Sequence, residues 1–141
     1  MIDMIPDVEL FYVTIYDTVT GRIIGNAQHS GCASFAVPSR NIDETAGTFS
    51  GDTHFYSSGS GTCITRPDIL LDMTSTSIKA DGVSQCSMNG IPAGALVTTD
   101  GLNPQTCDDG VLEFTATHAG QYVIVVSAFP YLDRTVTVTA T

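Results

Sequence analysis

Apolar and polar side chains alternate along this chain in short runs, and no long segment repeats its apolar residues at helical spacing. The runs are bounded by Gly, Pro, Asn and Asp, the punctuation of an all-β chain. In the first run, 8–16, Phe11, Val13 and Ile15 share one face of an extended strand, and Tyr12, Thr14 and Tyr16 share the other. Asp17-Thr18-Val19-Thr20-Gly21 supplies turn chemistry, so 22–27 is predicted to return as the partner strand. Phe35, Ala36 and Val37 read as a short strand stopped by Pro38, and the polar, Gly-containing stretch 41–52 reads as a loop. A second hairpin places 54–56 and 62–65 on either side of the Ser/Gly-rich turn 57–61. Residues 69–73 read as a short apolar connection, which puts a boundary near 67–73.

Beyond that boundary the pattern becomes more regular. Strands are predicted over 76–79, 83–88, 95–99, 111–115, 121–128 and 134–139. Between them lie Ala80-Asp81-Gly82, Asn89-Gly90-Ile91-Pro92, Asp100-Gly101, Cys107-Asp108-Asp109-Gly110, His118-Ala119-Gly120 and Pro130-Tyr131-Leu132-Asp133. Strands at regular spacing with a turn signal between each are the signature of a two-layer antiparallel sandwich.

One short motif narrows the architecture. His118-Ala119-Gly120-Gln121-Tyr122-Val123-Ile124 has the layout of the immunoglobulin corner, where Asp-x-Gly-x-Tyr leads into strand F. Gly120 permits the tight backbone there, and the Tyr122 hydroxyl can satisfy a backbone group just upstream. His118 replaces the usual Asp, and Ile124 stands where antibody domains place their second cysteine. Cys86, on the predicted strand facing the core, then has no cysteine opposite and is expected as a thiol packed against Ile124. The expected fold is therefore all-β: an N-terminal β-hairpin-rich unit over 1–67, then an immunoglobulin-like antiparallel β-sandwich over 73–141, without a disulfide. A plain Gly turn entering a strand that carries a Tyr is the bland alternative.

Composition sets limits on partners. The 141 residues suit one medium domain or two small ones, and two halves would each be marginal alone. Fifteen Asp and Glu against five Lys and Arg give a formal net charge of −10 at pH 7, which repels phosphate backbones and anionic membrane surfaces. The opening residues carry acids where a secretory leader needs cations, and no stretch is apolar for the ~18 residues of a membrane helix. A protein made in a reducing cytosol is the expectation, with Cys32, Cys63, Cys86 and Cys107 as free thiols.

The stretch 77–138 carries Ile-Lys-Ala-Asp-Gly-Val, Ile-Pro-Ala-Gly, Asp-Gly-Val-Leu-Glu-Phe and Ala-Gly-Gln-Tyr-Val-Ile-Val-Val-Ser-Ala-Phe-Pro-Tyr-Leu-Asp. It resembles the immunoglobulin-like modules of small structural proteins of tailed bacteriophages. The front half is similar to the front segments of the same proteins, through Ile-Tyr-Asp-Thr-Val-Thr-Gly-Arg-Ile-Ile (15–24) and the 53–67 segment with Thr-His-Phe-Tyr and Thr-Cys-Ile-Thr-Arg-Pro. The resemblance covers most of the chain as a pattern of turns and strands. It implies a virion component of the tail, fibre or collar, made in the host bacterial cytoplasm. The implied partners are other virion proteins (portal, tail, collar or fibre subunits) and copies of itself in a ring, and no catalytic residue or cofactor is transferred.

His29 and Cys32 are three residues apart, but the pair that would complete a zinc site, His54 and Cys63, is nine apart, unlike the tight pairs of structural zinc. Asp100, Asp108, Asp109 and Asp133 could gather oxygens for calcium, yet no twelve-residue calcium loop is present and Asp-Gly pairs are ordinary turn formers. Ser58-Gly59-Ser60-Gly61 lies in a hairpin loop, not at a strand-to-helix elbow. Neither metal nor cofactor is expected, nor an enzyme. Phe55, Tyr56, Phe129 and Tyr131 are candidate interface anchors, and capping of sheet ends is the competing use of those rings. Two rival roles stay open: a carbohydrate-binding module for cell-surface glycans, with Tyr131 and Asp133 as its sketch, and a tail-fibre assembly factor absent from the finished particle.

Overall fold

A computed structural model describes residues 10–30, 42–100 and 102–141. Among them the structure is all-β, with thirteen strands, and no helix long and apolar enough to cross a membrane occurs. The chain divides into two compact units, Met1–Arg66 and Pro67–Thr141.

In the first unit, β1 (Leu10–Asp17) is the middle strand of a three-stranded antiparallel sheet, between β2 (Ile23–Ser30) and β3 (Ile42–Ala46). The β1–β2 hairpin closes at the predicted turn, where the Asp17 carboxylate accepts the Val19 N–H at 2.9 Å and the Thr20 N–H at 2.7 Å. Gly21, at φ 78°, completes it. The pairing with β2 shifts register between Ile15 and Tyr16, and Val13, Thr14 and Tyr16 are all buried, so β1 is covered on both faces. Thr14 is buried because its hydroxyl is fully used: it lies 2.6 Å from Asn26 Oδ1 and accepts the Phe49 N–H at 2.9 Å. The hairpin of β4 (His54–Ser57) and β5 (Thr62–Thr65) forms as predicted.

The stretch 41–52 is not simply a loop. Its first half is β3, with Ile42 opposite Asp17 and Ala46 opposite Val13. Ile-Asp-Glu-Thr-Ala lacks the β-branched alternation of a core strand, and its pairing comes from the backbone ladder of β1 at a sheet edge. The strand expected at Phe35, Ala36 and Val37 lies outside the described residues.

The second unit consists of two sheets around one core. The larger has the order β10 (Gln105–Cys107), β9 (Ala95–Thr99), β12 (Gly120–Ser127), β13 (Arg134–Ala140) and β7 (Ser77–Ile78). Its strands pair antiparallel except β7, which runs parallel to β13. The smaller has the order β11 (Val111–Thr115), β8 (Gln85–Asn89) and β6 (Asp72–Met73), all antiparallel. Alternation does the work here. Ala95, Val97, Ile124, Val126, Val138 and Ala140 point inward from the large sheet, and Cys86, Met88 and Phe114 from the small one. The segment read as an apolar connection, 69–73, belongs to this fold: Ile69 is buried in the core, and Asp72 and Met73 pair with Asn89 and Met88. A two-residue strand is too short to show a period, which is why it was not visible in sequence.

Candidate functional site

The corner motif is closed by its tyrosine. The Tyr122 hydroxyl donates to the His118 carbonyl at 2.9 Å, and its ring meets Phe114 at 5.1 Å between centroids, tilted by 58°. Gly120 opens β12 at φ 155°. Ile124 and Cys86 are both fully buried in the same core, and the Cys86 thiol donates to the Ser75 carbonyl. Cys63, Cys86 and Cys107 are free and buried, and Cys32 lies outside the described residues. Burial pushes the Cys63 and Cys107 thiols up from the ordinary cysteine range, so their thiolate forms are disfavoured.

Three of the acids singled out in sequence, Asp100, Asp109 and Asp133, have separate partners. Asp109 accepts the Val111 N–H at 3.1 Å, and that bond, followed by the Cys107 thiol, holds its carboxyl below the ordinary aspartate range. Asp100 accepts the Val123 N–H at 3.2 Å, and Asp133 accepts the Ser127 hydroxyl at 2.7 Å. Among the described residues no three His, Cys, Asp or Glu gather into a group that could hold a metal ion. Of the His29–Cys32 pair, Cys32 and the His29 side chain lie outside what the structure describes.

The four aromatic anchor candidates are all half-buried. Tyr56 stacks on Tyr16, with centroids 3.6 Å apart and planes within 10°. Burial first, then a hydrogen bond with Tyr56 and the charge of Asp43, raise the Tyr16 phenol well above the ordinary tyrosine range. Phe55 and Tyr56 also line a small cleft of about 190 Å³ against the turn at Thr18–Gly21. Tyr131 leans on the core of the second unit, following the cis Phe129–Pro130 bond. Asp133, the carboxylate proposed beside it, is exposed and accepts the Ser127 hydroxyl through one oxygen.

A surface that the sequence did not announce lies where β10 and β11 flank the gap between the two sheets. Two adjoining clefts occupy it, about 360 Å³ and 190 Å³, sharing Val97, Gln105 and Leu112 as lining. Val97 and Phe114, 4% and 8% exposed, sit at the bottom, while Leu102 and Val111, 61% and 39% exposed, stand beside the mouth. Asp108, Asp109 and Glu113 supply the charge, and no Lys or Arg is among the lining residues. Val97 and Gln105 pair across the β9–β10 hairpin, whereas Leu112 belongs to the other sheet and pairs with Met88, so the site depends on how the two sheets stack and not on a local pattern.

No family model matches the chain, and no curated protein matches it. Among solved structures, a glycosyl hydrolase family 2 member from Bacteroides cellulosilyticus aligns over 92% of this chain and 21% of its own, at 13% identity and a TM-score of 0.40. A likeness that slight, to a protein of which this chain spans a fifth, carries no conclusion about fold or activity.

Proposed function

We propose that this chain is a non-enzymatic structural protein of a tailed-bacteriophage particle, a scaffold or adaptor of the tail, fibre or collar whose C-terminal unit is an immunoglobulin-like sandwich. The strand order supports the fold assignment: β8 and β11 stand as strands B and E, β9, β12 and β13 as C, F and G, and the chain's entry is split between the sheets as β6 and β7. The Tyr122–His118 bond supports it as well. The phage assignment rests on the sequence resemblance over 15–24, 53–67 and 77–138.

The observation that most favours an assembly role is the open edge of the second unit, where two edge strands frame apolar side chains. The carboxylates at Asp109 and Asp133 are meanwhile engaged by their own turns, and that at Asp100 by the Val123 N–H of the neighbouring β12. Edge strands with adjacent apolar clefts are binding surfaces for other proteins. Mass spectrometry of purified particles tests the role. The chain is expected there in fixed stoichiometry with tail, fibre or collar subunits. Its presence in infected cells but absence from finished particles would overturn the virion role and favour the assembly factor.

A further inference from the structure

The gap between β10 and β11 has the form of a missing strand. Residues 108–110 alone separate these two strands, yet one ends the larger sheet and the other ends the smaller. The chain thus crosses between layers without laying down a strand beside β11. In a sandwich whose small sheet has the order A-B-E-D, strand D lies at that place.

The backbone of β11 is set for such a neighbour. Ser87 turns its carbonyl and its N–H away from β11, to the Thr74 N–H and hydroxyl, so Cys86 and Met88 face Phe114 and Leu112 and the even-numbered groups of β11 face β8. The odd-numbered groups face outward. Those of Val111 are used locally, its N–H by Asp109 and its C=O by the Cys107 thiol. Glu113 and Thr115 follow at the outward positions, and β11 has no second strand neighbour among the described residues. An added strand would therefore pair at Glu113 and Thr115. It would drop alternate side chains onto Leu112, Phe114 and Val97 and place the others beside Glu113.

We infer that the β10–β11 gap accepts an extended segment of a partner protein that alternates aliphatic with Lys or Arg side chains, completing the small sheet as its fourth strand. Charge selects this occupant: Asp108, Asp109 and Glu113 line the clefts without a cation among them. A second copy of a chain with net charge −10 is repelled from the same site. The inference rests on the proposed assembly role, and it names the surface and the chemistry of the partner.

The test uses the full chain and two fluorescein-labelled peptides, a Lys-Val alternating heptamer and its Glu-Val counterpart, read by anisotropy at low and moderate salt. The basic peptide is expected to bind and to weaken with salt, and the acidic one not to bind. Glu113→Lys should weaken the basic peptide roughly fivefold by turning a cross-strand attraction into repulsion. Thr115→Pro removes an outward N–H that β8 does not use, and should abolish binding. Amide exchange should show new protection at Glu113 and Thr115 with the basic peptide bound. Equal binding of both peptides, no binding of either, or protection elsewhere overturns the inference. If Thr115→Pro does not fold, Glu113→Lys and the peptide pair still decide. Failure here with the chain present in particles sinks the strand site alone, whereas peptide binding with the chain absent from particles sinks the virion role alone.

Discussion

Replacing Tyr122 by Phe isolates one hydrogen bond in the second unit. The hydroxyl lies 2.9 Å from the His118 carbonyl, and His118 is exposed, so water can take up the carbonyl once the hydroxyl is gone. No buried polar group is orphaned, and the loss is the net worth of one hydrogen bond, about 1 kcal/mol. The ring survives the change and keeps its 5.1 Å contact with Phe114, so no cavity opens. Tyr122→Ala removes that half-buried ring as well and should cost about 3 kcal/mol. For a unit spanning Pro67–Thr141, about 1 kcal/mol lowers the midpoint by roughly 4–8 °C. Calorimetry of the whole chain gives the midpoints, and hydrogen exchange of the β11 and β12 segments assigns the transition. An unchanged midpoint for Tyr122→Phe beside a large drop for Tyr122→Ala would show that the hydroxyl does not hold the corner. An equal drop for both would place the whole effect in the hydroxyl and contradict the packing role of the ring.

Asp17, Asp81 and Asp109 are each held below the ordinary aspartate value by backbone N–H groups, so their folded forms favour the ionised state. That contribution is fully present above the unfolded value, near 3.8, and is lost as pH falls through the depressed folded values. Acid unfolding followed by circular dichroism should steepen below about pH 4, and a triple Asp→Asn variant should show a shallower dependence; identical profiles would contradict the turn assignments. Gly21→Ala combines a positive φ with a Cβ driven against the Tyr56 carbonyl and should destabilise the first unit by about 2 kcal/mol or more, read by urea denaturation. Wild-type stability in that variant would mean the turn does not pack on β4 as described. Iodoacetamide at neutral pH should leave Cys63, Cys86 and Cys107 unlabelled in the folded chain and label them in urea, by peptide mapping. A Cys86 recovered in a disulfide would contradict the core.

The second unit was largely legible because its strands alternate cleanly. The predicted 95–99 and 111–115 coincide with β9 and β11, and 121–128 and 134–139 match β12 and β13 within one residue at each end. Gly and Asp mark those turns, and the inward positions are apolar except Thr99 at the end of β9, so local chemistry and burial largely agree. The segments that went unread lack that agreement. β3 is polar and sits at an edge, β6 and β10 are two and three residues long, and Ile69 precedes its strand. Thr14 reads as a surface residue from its side chain alone, and its burial follows from Asn26 and the Phe49 backbone, both distant in sequence. The β10–β11 gap was illegible for a similar reason: it is defined by which strands do not become neighbours.

A reconstruction of the purified phage particle at side-chain resolution tests the central claim most directly. The account predicts copies of this chain in the tail, fibre or collar, with the exposed edge of β11 continued by a strand from another subunit. Density that leaves the chain out of the particle altogether would contradict the structural role.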